Sequence, residues 1–183
     1  MKRFAGGFGA YLIGAMLLTS CASLNATLNR PTKLSIEGKR VAVFPFKDPY
    51  YAGRQLPNVG TPFAEIFVTK LQSRGILSNL ITNADFKSSD LFDVEKACKY
   101  ASEKSFDLVI TGTVTEWIDG ATQWSGTVDV AALSVNIYQA KECKFEGSAS
   151  GRQTGRWFTF INAPTTRFYD SLSDTIVSEI LRK

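Results

Sequence analysis

The sequence predicts an α/β (α+β) fold: a mixed β-sheet with a βαβαβ start, an antiparallel hairpin and a C-terminal amphipathic helix. Three observations carry this prediction. The run Val41-Ala42-Val43-Phe44-Pro45-Phe46 is continuously apolar and β-prone, as a strand covered on both faces must be. Helical and strand-like spacings then alternate as far as Trp117. Finally, Phe168, Leu172, Ile176 and Ile180 recur every fourth residue, a stripe that covers one sheet face.

Taken in order, the first strand starts near Arg40 and loses its pairing at Pro45, which has no N–H to donate. A loop from Lys47 to Asn58 leads to a helix that opens at Thr61-Pro62, carries Phe63, Ile66, Phe67 and Leu71 on one face and stops at Gly75. A short strand from Leu77 to Ile81 and a helix from Asp93 to Lys104 follow. The run from Phe106 to Trp117 then alternates Leu108, Ile110, Gly112 and Val114 with polar or threonine positions. Thr127 to Gln139, with Ala131, Leu133, Val135 and Ile137 on one face, and Lys144 to Arg152 form the hairpin around an Ala140 to Cys143 turn.

The chain ahead of this domain reads as an export and anchoring segment. Lys2 and Arg3 precede an apolar stretch from Phe4 to Leu18, shorter than the ~20 residues needed to span a bilayer, and Thr19 and Ser20 lead into Cys21. Leu18-Thr19-Ser20 directly before a cysteine resembles the bacterial lipobox. Residues 1–20 are thus expected to be a signal peptide and Cys21 the lipidated residue, buried in the bilayer at ~0.8 kcal/mol per acyl methylene. The alternative is an ordinary secreted protein with a chance cysteine at the cleavage site. Residues 21–39, rich in Ser, Asn, Thr and Lys, read as a tether, and residues 40–183 as a single periplasmic domain large enough for a hydrophobic core.

Charge and composition exclude several function classes. The formal charge of +4 falls to +2 when Lys2 and Arg3 leave with the signal, which is no nucleic-acid-binding balance. There is no histidine, so Ser-His-Asp or Cys-His catalysis and imidazole metal sites are ruled out. No glycine-rich phosphate loop is present. No catalytic residue, metal or cofactor is therefore expected. Cys98 and Cys143 either form one disulfide in an oxidising compartment or remain separate thiols, Cys98 on a helix as a small buried hydrophobe.

Two segments stand out as candidate binding surfaces. In Glu116-Trp117-Ile118-Asp119-Gly120-Ala121-Thr122-Gln123-Trp124-Ser125-Gly126, two indoles lie beside carboxylates at the end of one strand and the start of the next. They form either a recognition surface or a cross-strand pair worth ~0.5 to 1.5 kcal/mol. The aromatic run Arg156 to Ile161, with Trp157, either forms a membrane- or partner-facing loop or completes the sheet. Glu116, Asp119 and Asp129 would make the polar rim around Trp117, Trp124 and Trp157. Tyr50, Tyr51 and Arg54 lie in the loop after the first strand, where open α/β sheets place ligands.

The segment from Glu116 to Gly126, with Asp129 in the next strand, resembles an uncharacterised family of bacterial lipoproteins, a domain of unknown function; the likeness covers most of the region from Phe106 to the C-terminus. Gly120 and Val128 depart from that family's basic residue and proline. More remotely, the βαβαβ core with its anchor is similar to lipoproteins related to the TolB amino-terminal domain, among them Pel polysaccharide export lipoproteins. What the resemblance implies is a non-enzymatic outer-membrane lipoprotein facing the periplasm, attached through Cys21, working through contacts with envelope or export proteins and as a homo-oligomer. Ala22 after the cysteine favours the outer membrane by the enteric sorting rule. The alternative is a lipoprotein that binds a carbohydrate or small ligand, indole faces stacking on sugar rings.

Overall fold

The computed structural model describes residues 24–29, 35–82, 90, 92–118, 128–155 and 166–182. Within them the chain runs β1 (Leu24–Asn29), β2 (Arg40–Val43), β3 (Tyr50–Tyr51), β4 (Arg54–Gln55), α1 (Gly60–Ser73), β5 (Leu77–Leu80), α2 (Val94–Glu103), β6 (Leu108–Ile118), β7 (Val130–Gln139), β8 (Lys144–Thr154) and α3 (Thr166–Leu181). Six strands make one mixed sheet in the order β1-β8-β7-β6-β2-β5. β2 pairs parallel with both β5 and β6, whereas β6-β7, β7-β8 and β8-β1 are antiparallel. The expected βαβαβ start, hairpin and terminal helix are all present.

Past Arg40, β2 is apolar because it is covered on both faces. Val41 and Val43 join one core with Phe63, Phe67 and Leu71 of α1 and Leu172, Ile176 and Ile180 of α3. Ala42 and Phe44 join another with Ala97, Cys98 and Ala101 of α2 and Val109 of β6. Each large side chain buried here contributes ~1.5 to 3 kcal/mol. On β7, Ala131, Leu133, Val135 and Ile137 all face the α1/α3 layer, as the alternation predicts. Ladder pairing of β2 ends at Val43, yet the chain stays stitched to β6: the N–H groups of Phe44 and Lys47 donate to the carbonyls of Ile110 and Gly112. Pro45 falls between those two donors, where a missing N–H costs nothing. Gly112 lets the Phe46 ring lie across β6, since a Cβ there would stand 2.5 Å from the ring.

Two segments differ from their expected structure. The stretch assigned to a tether contributes β1, an edge strand paired with β8 from Leu24↔Gln153 to Asn29↔Ser148. Its sequence alternates Leu24, Ala26 and Leu28 with Asn25, Thr27 and Asn29, and this period of two outweighs the polar composition that suggested a linker. The loop from Lys47 to Asn58 contains a small hairpin, β3-β4, with Tyr50 opposite Gln55 and Tyr51 opposite Arg54. Its two turn residues, Ala52 and Gly53, both have positive φ (50° and 77°), as the tight turn of a two-residue hairpin requires.

The hairpin leads into α1, whose N-cap, Val59, has no side chain able to cap. Asp48 does this from eleven residues upstream. Its carboxylate accepts hydrogen bonds from the N–H groups of Val59 (2.9 Å), Gly60 (2.7 Å) and Asn58 (3.2 Å), and its charge complements the positive end of the helix dipole. Asp48→Ala should cost ~1 to 2 kcal/mol, read as a lower urea midpoint with an unchanged slope. α2 is capped locally instead, Asp93 accepting from Glu95 and Lys96 N–H. Cys98 on α2 and Cys143 in the β7-β8 turn are joined by a disulfide, their Cα atoms 5.4 Å apart.

Candidate functional site

At the carboxyl end of β6, the first turn of α1 and the start of α3 converge on Trp117. The indole is half-buried. It stacks on Tyr169 of α3, with centroids 5.2 Å apart and planes 20° from parallel, and meets Phe63 of α1 edge-on at 5.9 Å. Phe63 and Tyr169 in turn make a T-shaped contact at 4.5 Å. Three rings from three elements thus lock both helices to β6 at this end, each pair adding ~0.5 to 1.5 kcal/mol beyond burial.

Glu116 precedes Trp117 on β6 and therefore points to the opposite face. There it forms a two-pronged ion pair with Arg152 of β8: Arg152 Nε donates to Oε2 at 2.8 Å and Nη2 to Oε1 at 3.1 Å. The two side chains reach across β7, because Glu116 and Arg152 both lie opposite Ala132. A bulge at Thr115 sets this register; past it, Thr113, Ser134 and Ser150 form one cross-strand row and Thr111, Asn136 and Ser148 the next. This half of the face is a ladder of Ser, Thr and Asn, whereas α2 covers the half nearer β5.

The Arg152 hydrogen bond, with a smaller Coulombic part, holds the Glu116 carboxyl below its usual pKa against the opposing effect of desolvation. A depressed carboxylate pKa stabilises the fold above the unfolded value and loses that contribution as pH falls through the folded one. Glu116→Gln should therefore flatten the acid arm of the stability profile below about pH 4.5 while changing neutral stability by ~0.5 kcal/mol, a small effect because solvent screens the pair. Urea unfolding at several pH values measures both.

Of the sequence-derived candidates, Glu116 and Trp117 are thus neighbours in the chain but serve opposite faces. Asp129 lies at the same end of the sheet, where its carbonyl accepts the Gly155 N–H at 2.7 Å. Cys21, Asp119, Trp124 and Trp157 lie outside the described residues. Arg152, Phe63 and Tyr169 are the partners that sequence reasoning missed. Among the described residues no cluster of His, Cys, Asp or Glu could hold a metal, and no helix is long and apolar enough to cross a membrane.

No family model and no curated protein matches the chain. Solved structures do match. The PelC dodecamer from Paraburkholderia phytofirmans superposes with a TM-score of 0.65 at 18% identity, covering 88% of this chain and 99% of that one. A point variant of that dodecamer gives 0.61 at 19% identity over 86% and 98%. Lipoprotein GNA1162 from Neisseria meningitidis gives 0.50 at 18% identity over 78% and 97%. The resemblance to Pel-type lipoproteins inferred from the sequence is borne out in the fold, which this chain shares along nearly the whole length of PelC.

Proposed function

We propose that the protein is an outer-membrane lipoprotein, anchored through Cys21, whose periplasmic domain is a non-enzymatic assembly module of an envelope or export machine. The observation that carries this reading is a fold shared over 88% of this chain with a protein that assembles as a dodecamer, on a chain whose residues Leu18 to Cys21 have the lipobox pattern. The Cys98–Cys143 disulfide supports folding outside the cytoplasm, where such bonds persist. The described surface supports contact more than catalysis: an ion pair with both partners satisfied and a polar sheet face of Ser, Thr and Asn. The candidate binding residues Glu116, Trp117, Asp119, Trp124, Asp129 and Trp157 are proposed to frame the contact end.

Cys21→Ser should move the protein from the membrane to the soluble fraction, and unchanged membrane association would refute the anchor. For the assembly, the acylated protein extracted in mild detergent should have a native mass that is a discrete multiple of the protomer, with crosslinks to envelope proteins. A monomer without neighbours would contradict the assembly reading.

A further inference from the structure

The register of β1 limits where an anchor at Cys21 can reach. Leu24 lies opposite Gln153, Gln153 opposite Ala131, and Ala131 opposite Trp117, so Leu24 and Trp117 share one cross-strand row at the same end of the sheet. Two residues, Ala22 and Ser23, separate Cys21 from Leu24, and at full extension the three steps between them span at most about 11 Å. The β3-β4 hairpin stands at that level too. Lys47 bridges Thr113 in parallel, and β3, which begins three residues later, lies against β6, which itself ends five residues past Thr113 at Ile118.

The hairpin is held firmly at its base and left uncovered at its tip. Leu56 N–H donates to the Pro49 carbonyl, Val114 N–H donates to the Lys47 carbonyl, and Asp48, just ahead of β3, ties the hairpin's base to the start of α1. Tyr50 and Tyr51 are nevertheless 72% and 55% exposed, the former the most exposed of the large hydrophobic side chains described. Arg54, opposite Tyr51, is exposed beside them. Two solvent-facing tyrosines and a guanidinium on a rigid hairpin have the chemistry of a headgroup-level contact: amphipathic rings settle at the membrane–water interface and the cation pairs with lipid phosphate.

We infer that the β3-β4 hairpin, through Tyr50, Tyr51 and Arg54, rests on the surface of the bilayer that holds the acyl chains of Cys21, which sets the sheet end-on to the membrane. This rests on the anchoring reading above. Phe145 provides the internal control, because it is 42% exposed but pairs with Tyr138 at the other end of β8, about 27 Å from Gln153 along the strand.

The test uses the full acylated protein in vesicles of phosphatidylethanolamine and phosphatidylglycerol whose acyl chains carry bromine, a contact quencher of indole emission. Tyr51→Trp and Phe145→Trp each add one indole to the parent protein. Quenching of the added emission should be severalfold stronger for Tyr51→Trp than for Phe145→Trp. Equal quenching of the two would overturn the proposal, as would a Tyr51→Trp indole shielded from aqueous acrylamide yet untouched by the brominated chains, the signature of a protein neighbour. Sedimentation of the same samples separates the two readings: protein that pellets with vesicles without the difference refutes only the orientation, whereas protein left in solution refutes the anchor itself.

Discussion

Replacing Cys98 and Cys143 together by serine is expected to lower the stability of the domain by about 4 kcal/mol, the loop-closure value for a crosslink across 45 residues. In a domain of this size that is about 10 °C in melting temperature, and a large share of the ~5 to 15 kcal/mol that separates folded from unfolded chains. The effect is large because of where the bond sits. α2 is a short helix that buries only Ala97, Cys98 and Ala101, small side chains with little apolar area to hold it on the sheet. The disulfide ties it to the β7-β8 turn instead, next to Ala140 and Tyr138 in the same small core. Reductant should reproduce the loss in the wild-type protein and have no further effect on the double variant. Thiol titration of the unfolded, unreduced protein reads the bond directly: both thiols should appear only after reduction. Equal stability with and without reductant would show that the two sulfurs do not matter to the fold.

The same bond illustrates what the sequence could and could not specify. Each thiol was visible, and an oxidising compartment made pairing feasible, but nothing local indicates that a helix position and a turn position meet. Elements whose character lies in their own residues were legible: the two-sided apolar β2, α2 between Asp93 and Lys104, the alternation along β6 and β7, and the four-residue stripe of α3. β1 is hard to read from the sequence because its polar composition masks the alternation of Leu24, Ala26 and Leu28. The β3-β4 hairpin escaped notice because each strand is two residues long and its turn is Ala52-Gly53, not the Asn-Gly or Asp-Gly that usually marks such a turn. The site followed the same division. Glu116 and Trp117 stood out by composition, but their partners depend on the fold. Arg152 is 36 residues from Glu116 and two strands away. Phe63 reads as an ordinary helix-face position and Tyr169 carries no local signal; only the packing of both helices on β6 brings them to Trp117.

Trp117→Ala is expected to cost about 3 kcal/mol, the low end of the range for removing a tryptophan because this indole is only half-buried. The indole is the piece that touches both helices: without it Tyr169 loses its stacking partner and Phe63 one of its two edge contacts, while α1 and α3 remain joined farther along by Lys70–Asp170 at 2.6 Å and Arg74–Asp174 at 2.9 Å. Trp117→Phe keeps a ring against both neighbours and should cost under ~1.5 kcal/mol. A double-mutant cycle with Tyr169→Ala isolates the stacking, expected at ~0.5 to 1.5 kcal/mol. Urea midpoints at constant slope give these values, and the native mass of each variant in mild detergent gives the other half of the argument. A side chain whose work is inside the fold shifts the midpoint and leaves the assembly of the still-folded protein intact. If Trp117→Ala unfolds near the wild-type midpoint and loses its neighbours, the indole faces a partner, and the half of it that Tyr169 and Phe63 leave uncovered is the surface that partner takes.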